Sequence, residues 1–191
     1  MLIVVAHPSP DSRTAHLARS AQSSAAAAGH EVDFWDLTAE GFDPVLSAAE
    51  WQGYRAGLPA PAIAAEIARL QRAEALILIF PTWWGGPPAV LKGWFDRLFR
   101  PGVAFRLDGA VLRPGLTDMR HLGVVTSYGG PRWAWVFTGM PGKRMILRGL
   151  RVCLPRDARC FWLGMALAET APPTAHDAFI AHAVARIAGL R

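Results

Sequence analysis

Three stretches of this chain carry residue types suited to gripping a flat, charged ligand. The longest, Phe80 to Arg97, reads Phe-Pro-Thr-Trp-Trp-Gly-Gly-Pro-Pro-Ala-Val-Leu-Lys-Gly-Trp-Phe-Asp-Arg. In it Pro81, Thr82, Trp83, Trp84 and Gly85 form a turn whose indoles supply broad π-faces, while Gly85 and Gly86 let backbone approach a planar partner. The second stretch, Ala6 to Thr14, leads directly into a helix. Its Ser9, Ser12, Arg13 and Thr14, together with the free N–H groups of the helix start, can surround a phosphate whose charge suits the positive dipole end. It has neither G-x-G-x-x-G nor a Walker pattern, which excludes the dinucleotide fingerprint and the ATP loop. The third stretch holds Thr126, Ser127, Tyr128, Gly129 and Gly130, then Trp133 and Trp135. Its hydroxyls and glycines suit a close polar contact, and the two tryptophans either wall a substrate pocket or pack under a subunit partner. The chain shows no H-E-x-x-H, Cys/His cluster or Ser-His-Asp pattern, so neither a catalytic side chain nor a metal is expected.

These stretches need a scaffold, and the apolar patterning predicts one. Strands are expected at Leu2 to Ala6, Glu31 to Leu37, Ala75 to Phe80, Leu122 to Ser127 and Arg159 to Leu163. Pro81 forbids simple continuation of the third, so a turn must follow it. Helices are expected at Ser12 to Ala28, stopped by Gly29, at Ala62 to Arg72, from about Thr138 through Leu150, and at Thr174 to Leu190. Another begins at Pro87 and Pro88, with Val90, Leu91, Trp94, Phe95, Leu98 and Phe99 as its apolar stripe and Lys92 and Asp96 paired opposite. Segments 41–60 and 100–118 read as long connections, the former with a helical turn near Ser47 to Tyr54. Five apolar strands alternating with helices give an α/β fold with a doubly wound parallel sheet.

Composition narrows the class further. At 191 residues the chain is expected to be one domain, 1–191, with 52% hydrophobic and 18% charged residues indicating an apolar globule that also hides surface in an oligomer. The longest uncharged stretch, Ala75 to Leu91, is interrupted by prolines and glycines and falls short of the roughly 20 apolar residues of a spanning helix. No basic segment precedes an apolar one at the amino terminus, so a cytoplasmic protein without a secretory signal is expected. Cys153 and Cys160 fit neither a redox nor a zinc pattern and read as reduced thiols. The net charge of +5 is concentrated at Lys143, Arg144, Arg148, Arg151, Arg156 and Arg159 against a lone Asp157. Such a cluster is a solvated face or meets a nucleotide phosphate or acidic partner; no interleaved aromatic motif supports nucleic acid.

Pro81 to Trp84, then Pro88 to Trp94, then Asp96-Arg97, and more loosely Pro101-Gly102-x-Ala104-Phe105, resemble the flavodoxin-like NAD(P)H:quinone oxidoreductase family. The Ala-His-Pro loop at Ala6 resembles that family's phosphate loop, and Thr126 to Gly130 its Thr-Thr-Gly-Gly segment. The resemblance implies the strand order 2-1-3-4-5, with ligand at the carboxyl ends of strands 1, 3 and 4. It implies a bound flavin, FMN favoured over FAD, held by His7 and the helix-start residues at its phosphate and by the other two turns at its ring. It further implies hydride transfer from NAD(P)H to quinones or similar acceptors at one site serving both substrates in turn, and a homodimer with pockets near the interface. Some members place a Tyr and a His after the glycines; here Trp133 and Trp135 stand there, so no Tyr–His relay carries over. Related short members also point to an ancillary subunit of a cation-efflux membrane partner. A flavodoxin-like electron carrier is the third reading, which the positive charge disfavours.

Overall fold

A run buried on both faces belongs in the middle of a sheet, and Ala75–Pro81 is buried at every position. The computed structural model describes residues 1–191, the Arg55 side chain excepted. In chain order the first half comprises β1 (Leu2–Val5), α1 (Arg13–Ala27), β2 (Asp33–Asp36), α2 (Ala48–Ala56), α3 (Ala64–Arg72), β3 (Ala75–Pro81) and α4 (Ala89–Leu98). The second half comprises β4 (Phe105–Asp108), β5 (Val111–Pro114), β6 (His121–Ser127), α5 (Arg132–Phe137), α6 (Pro141–Arg144), β7 (Arg159–Met165) and α7 (Pro173–Ala188).

The main sheet runs β2-β1-β3-β6-β7, all parallel. Counting its strands in chain order, this is 2-1-3-4-5, as the resemblance implied. Alternation along the strands splits the core in two. Ile3, Val5, Ile77 and Ile79 face α1 and α7, meeting Leu17, Ala21, Ala183 and Ile187. Leu2, Val4, Leu76 and Leu78 face the other layer, with Trp35, Leu91, Trp94 and Leu98. Trp94 is wholly buried, its indole edge-on to Trp35. On the outer side of α4 the expected Lys92–Asp96 pair forms at 2.7 Å. Glu50 and Arg97 pin α2 to α4 through an ion pair at 2.7 Å. Burial pushes the Glu50 carboxyl up, but Arg97 and the Ser47 contacts outweigh it and hold the group below its ordinary value of 4.5.

Four expectations need correction. β3 extends through Pro81, paired with Ser127, because the missing N–H falls at the last rung of the ladder. Pro87 and Pro88 precede α4 rather than filling its first turn, since Pro88 keeps extended backbone as the cap. The connection 100–118 holds an antiparallel hairpin, β4 with β5, turned at Gly109-Ala110, where Gly109 has φ +59°. The helix expected from Thr138 through Leu150 is displaced and broken. α5 occupies the supposed loop, Gly139 (φ +79°) and Met140 (φ 51°) interrupt it, and a π-helical turn Met145–Gly149 follows α6.

Candidate functional site

Parallel strands end together, so the turns after β1, β3 and β6 converge at one edge of the sheet. There two cavities, of about 390 and 510 Å³, meet at Trp83.

The first cavity begins at α1. Ser12 caps the helix, its Oγ accepting from the Ala15 N–H at 3.1 Å. The Ser12 carbonyl takes the His16 N–H. The N–H groups of Arg13 and Thr14, having no carbonyl one turn earlier within the helix, remain for a ligand at the positive dipole end. His7 Nδ1 lies 3.0 Å from the Ser9 nitrogen and 3.1 Å from the Ser9 carbonyl oxygen, which fixes the ring against the loop. Arg13 is anchored across the cleft: its Nη1 lies 2.8 Å from His176 Nε2 and donates to the Ala168 carbonyl at 3.3 Å. His176 Nε2 also lies 2.9 Å from that carbonyl. One ring nitrogen cannot accept from arginine and donate to a carbonyl; arginine has only donors, so the proton is assigned to Nδ1. Where the two cavities adjoin, the buried Thr126 Oγ1 of the first lies 2.8 Å from Thr82 Oγ1 of the second, and the Thr82 N–H donates to Ser127 O at 2.7 Å.

The second cavity is built from a tight turn and stacked rings. Trp83 and Gly86 exchange two backbone hydrogen bonds of 3.0 Å, so Trp84 and Gly85 form a two-residue turn with φ of 51° and 78°. Left-handed backbone at a tryptophan costs about 1–3 kcal/mol. It also leaves Trp84 entirely exposed. The turn is held from below by the Gly142 N–H, which donates to Gly85 O at 2.7 Å. A Cβ on Gly142 would lie 2.7 Å from that oxygen, so only glycine permits the approach. Opposite, Tyr128 stacks on Trp135 with centroids 4.8 Å apart, and Trp135 on Trp162 at 5.6 Å. The Trp135 and Trp162 indole N–H groups are buried without a partner among the described residues. Burial raises the Tyr128 hydroxyl above its ordinary 10.0, and the charge of Arg132 works against that rise.

The expected site residues fall out as follows. His7, Ser12, Arg13, Thr14, Pro81, Trp83, Thr126 and Ser127 line the first cavity. Thr82, Trp83, Trp84, Gly85, Tyr128, Gly129, Gly130 and Trp135 line the second. Ser9 lines neither and acts on His7; Trp133 points outward, 72% exposed. Sequence reasoning missed Met165, Ala168, Glu169, His176 and Phe179, which come from the end of β7, the turn after it and α7. That turn is also a carboxyl-end turn, the signal that could have found them. Among the described residues no cluster of metal-binding side chains occurs, and no helix is long and apolar enough to cross a membrane.

The Flavodoxin-like fold family matches residues 1–188. A crystal structure of Smu.1420 from Streptococcus mutans has a TM-score of 0.85 and 28% identity, covering 98% of both chains. An uncharacterised NAD(P)H oxidoreductase of Haemophilus influenzae is 34% identical over 108 residues, 56% of this chain and 54% of that one. NAD(P)H dehydrogenase (quinone) 1 of Cavia porcellus is 32% identical over 121 residues, 54% of this chain and 44% of that protein. The chain thus spans about half the length of the curated relatives it matches.

Proposed function

The chain belongs to the flavodoxin-like fold family, and from that premise we propose that it is a flavin-dependent oxidoreductase carrying hydride from NAD(P)H to quinones or similar flat acceptors. The observation that carries this reading is the convergence of three turns on two cavities joined at Trp83. The residues fit a flavin: one helix start with free donors suits a phosphate, and a broad aromatic slot suits a tricyclic ring. We favour FMN, whose single phosphate needs only the cradle at α1.

When bound, the flavin supplies the hydride chemistry. The chain's own residues bind and orient. Ser12, Thr14 and the first N–H groups of α1 hold the phosphate, with His7 beside them. Arg13 contributes charge while tied to Ala168 and His176. Thr82 and Thr126 set the depth of the ring, and Gly85, Gly129 and Gly130 let backbone lie against it. Trp84 and Trp135 offer the faces between which nicotinamide and quinone are received in turn, and the surrounding rings exclude water. No side chain is required to move a proton. The exposed Trp84, Trp133 and Phe137 at the rim support a homodimer, since a second copy would cover them. Curated relatives named as quinone and NAD(P)H oxidoreductases support the substrate class.

Purified protein is expected to be yellow, to release FMN on denaturation as identified by chromatography, and to oxidise NADH or NADPH with menadione in ping-pong kinetics. A colourless protein that also refuses added FMN and FAD would defeat the assignment.

A further inference from the structure

The basic segment noted in the sequence is absorbed neither by the flavin cradle nor by the core. No acidic residue stands between Asp118 and Asp157, whereas Arg132, Lys143, Arg144 and Arg148 all do. Several cations elsewhere in the structure are neutralised or spent on carbonyls. Arg69, Lys92, Arg97 and Arg113 are in ion pairs, and Arg151 spends its guanidinium on the carbonyls of Leu154, Pro155, Arg156 and Ala158. Among the described residues, no ion pair or side-chain hydrogen bond uses Arg132, Lys143, Arg144 or Arg148.

Their place is the rim of the second cavity. Pro131, Ala134, Thr138 and Pro141 line that cavity, so Arg132 and Lys143 each directly follow a segment of its wall or lie two residues from it. Arg132 lies near enough to act on the Tyr128 hydroxyl. Arg144 folds back over Gly139, its Nη1 3.4 Å from where a Cβ would stand. α6 sits directly against the apolar turn of Trp84 to Gly86, its Gly142 N–H donating to Gly85 O, so Lys143 and Arg144 flank that turn while Arg132 stands on the Trp135 side. The first cavity's cation, Arg13, is already bonded to Ala168 and His176. Among the described residues lining or adjoining the two cavities, the cations without an ion pair or side-chain hydrogen bond stand on α5 and α6.

We propose that Arg132, Lys143 and Arg144 form a selectivity rim for the 2′-phosphate of NADPH. This inference rests on the flavin reading above. The cosubstrate's nicotinamide occupies the slot, and the adenosine end leaves it over the rim. NADH and NADPH differ at that end by one phosphate, a dianion that arginine recognises through paired N–H donors and that a ribose hydroxyl cannot imitate. The cations are exposed or half-buried, so the discrimination is screened by salt. They act on binding and leave the transfer step alone, which places the effect in KM.

The test uses flavin-loaded protein with menadione as acceptor, comparing KM and kcat for NADPH and NADH at low and at physiological salt. NADPH is expected to have a KM at least about tenfold lower, with the gap narrowing as salt rises. Replacing Arg132→Gln, Lys143→Gln and Arg144→Gln together is expected to raise the KM for NADPH to that for NADH, with both kcat values kept. If the triple variant loses its flavin, Arg144→Glu alone gives the same comparison. Equal KM values in yellow, active wild-type protein, or variants that lose both cosubstrates alike, would overturn the rim while leaving the flavin assignment intact. Protein that binds no flavin would overturn the reading beneath it instead.

Discussion

The two cavities that meet at Trp83 are held open by different physics. The first relies on ordinary devices: a serine cap, free helix-start donors, and hydroxyls paired at 2.8 Å. Each part is common and each can fail singly. The second relies on close approach and strain, with a left-handed tryptophan, a glycine at position 142 pressed beneath the turn, and three rings stacked where Gly164 leaves room. A Cβ at Gly164 would lie 2.9 Å from Tyr128 Cε1 and 3.1 Å from Trp162 Nε1. Donor cradles degrade gradually, whereas jammed packing fails all at once.

The largest expected effect tests that contrast directly. Gly142→Ala puts a methyl against the Gly85 carbonyl; a stability loss of about 1–3 kcal/mol is expected in denaturant unfolding, from overpacking. Flavin affinity should fall with it, because the turn bearing Trp84 must move. A variant that keeps both would show the turn to be pliable and erase the difference between the cavities. Ser12→Ala is expected to cost about 1 kcal/mol of stability through the lost cap. Titration with FMN should show weakened but surviving binding; complete loss would mean that the cradle, not the packed slot, is the brittle half. The smallest effect lies outside both cavities. Glu50 is held below its ordinary value, so its contribution to stability is full above about pH 4.5 and is lost as pH falls through its folded-state value. Thermal melts between pH 7 and more acid conditions should show that loss in the wild type and little of it in Glu50→Gln. Bound flavin should be unaffected by the replacement, which confines site effects to the two cavities.

Much of this was readable from residues alone, and the reasons for the remainder are specific. β3 and β6 announce themselves because strands covered on both faces must be continuously apolar. The Ser12 start and the Lys92–Asp96 pair follow from local spacing. The order of strands does not follow from spacing, and came from the resemblance of the Pro81 to Trp94 run. The hairpin of β4 and β5 was obscured because Leu107, Val111 and Leu112 are exposed, so no alternation toward a core marks it. α5 and α6 were misplaced because their boundary is set by Gly139 and Met140 in left-handed backbone and by the seating of Gly142 on Gly85, a contact across more than fifty positions. His176 escaped because its partner is Arg13, at the far end of the chain. For α6 and His176 the deciding neighbour is distant in sequence, whereas the hairpin lacked a core-facing pattern.

The stack of Trp135 on Trp162, with planes inclined by only 22°, has an optical consequence. Indoles stacked with nearly parallel planes at this separation couple their ultraviolet transitions, so the pair is expected to contribute a circular-dichroism band that depends on its geometry. Because Trp135 also walls the ring slot, the band reports whether α5 is seated, independently of any colour a ligand brings.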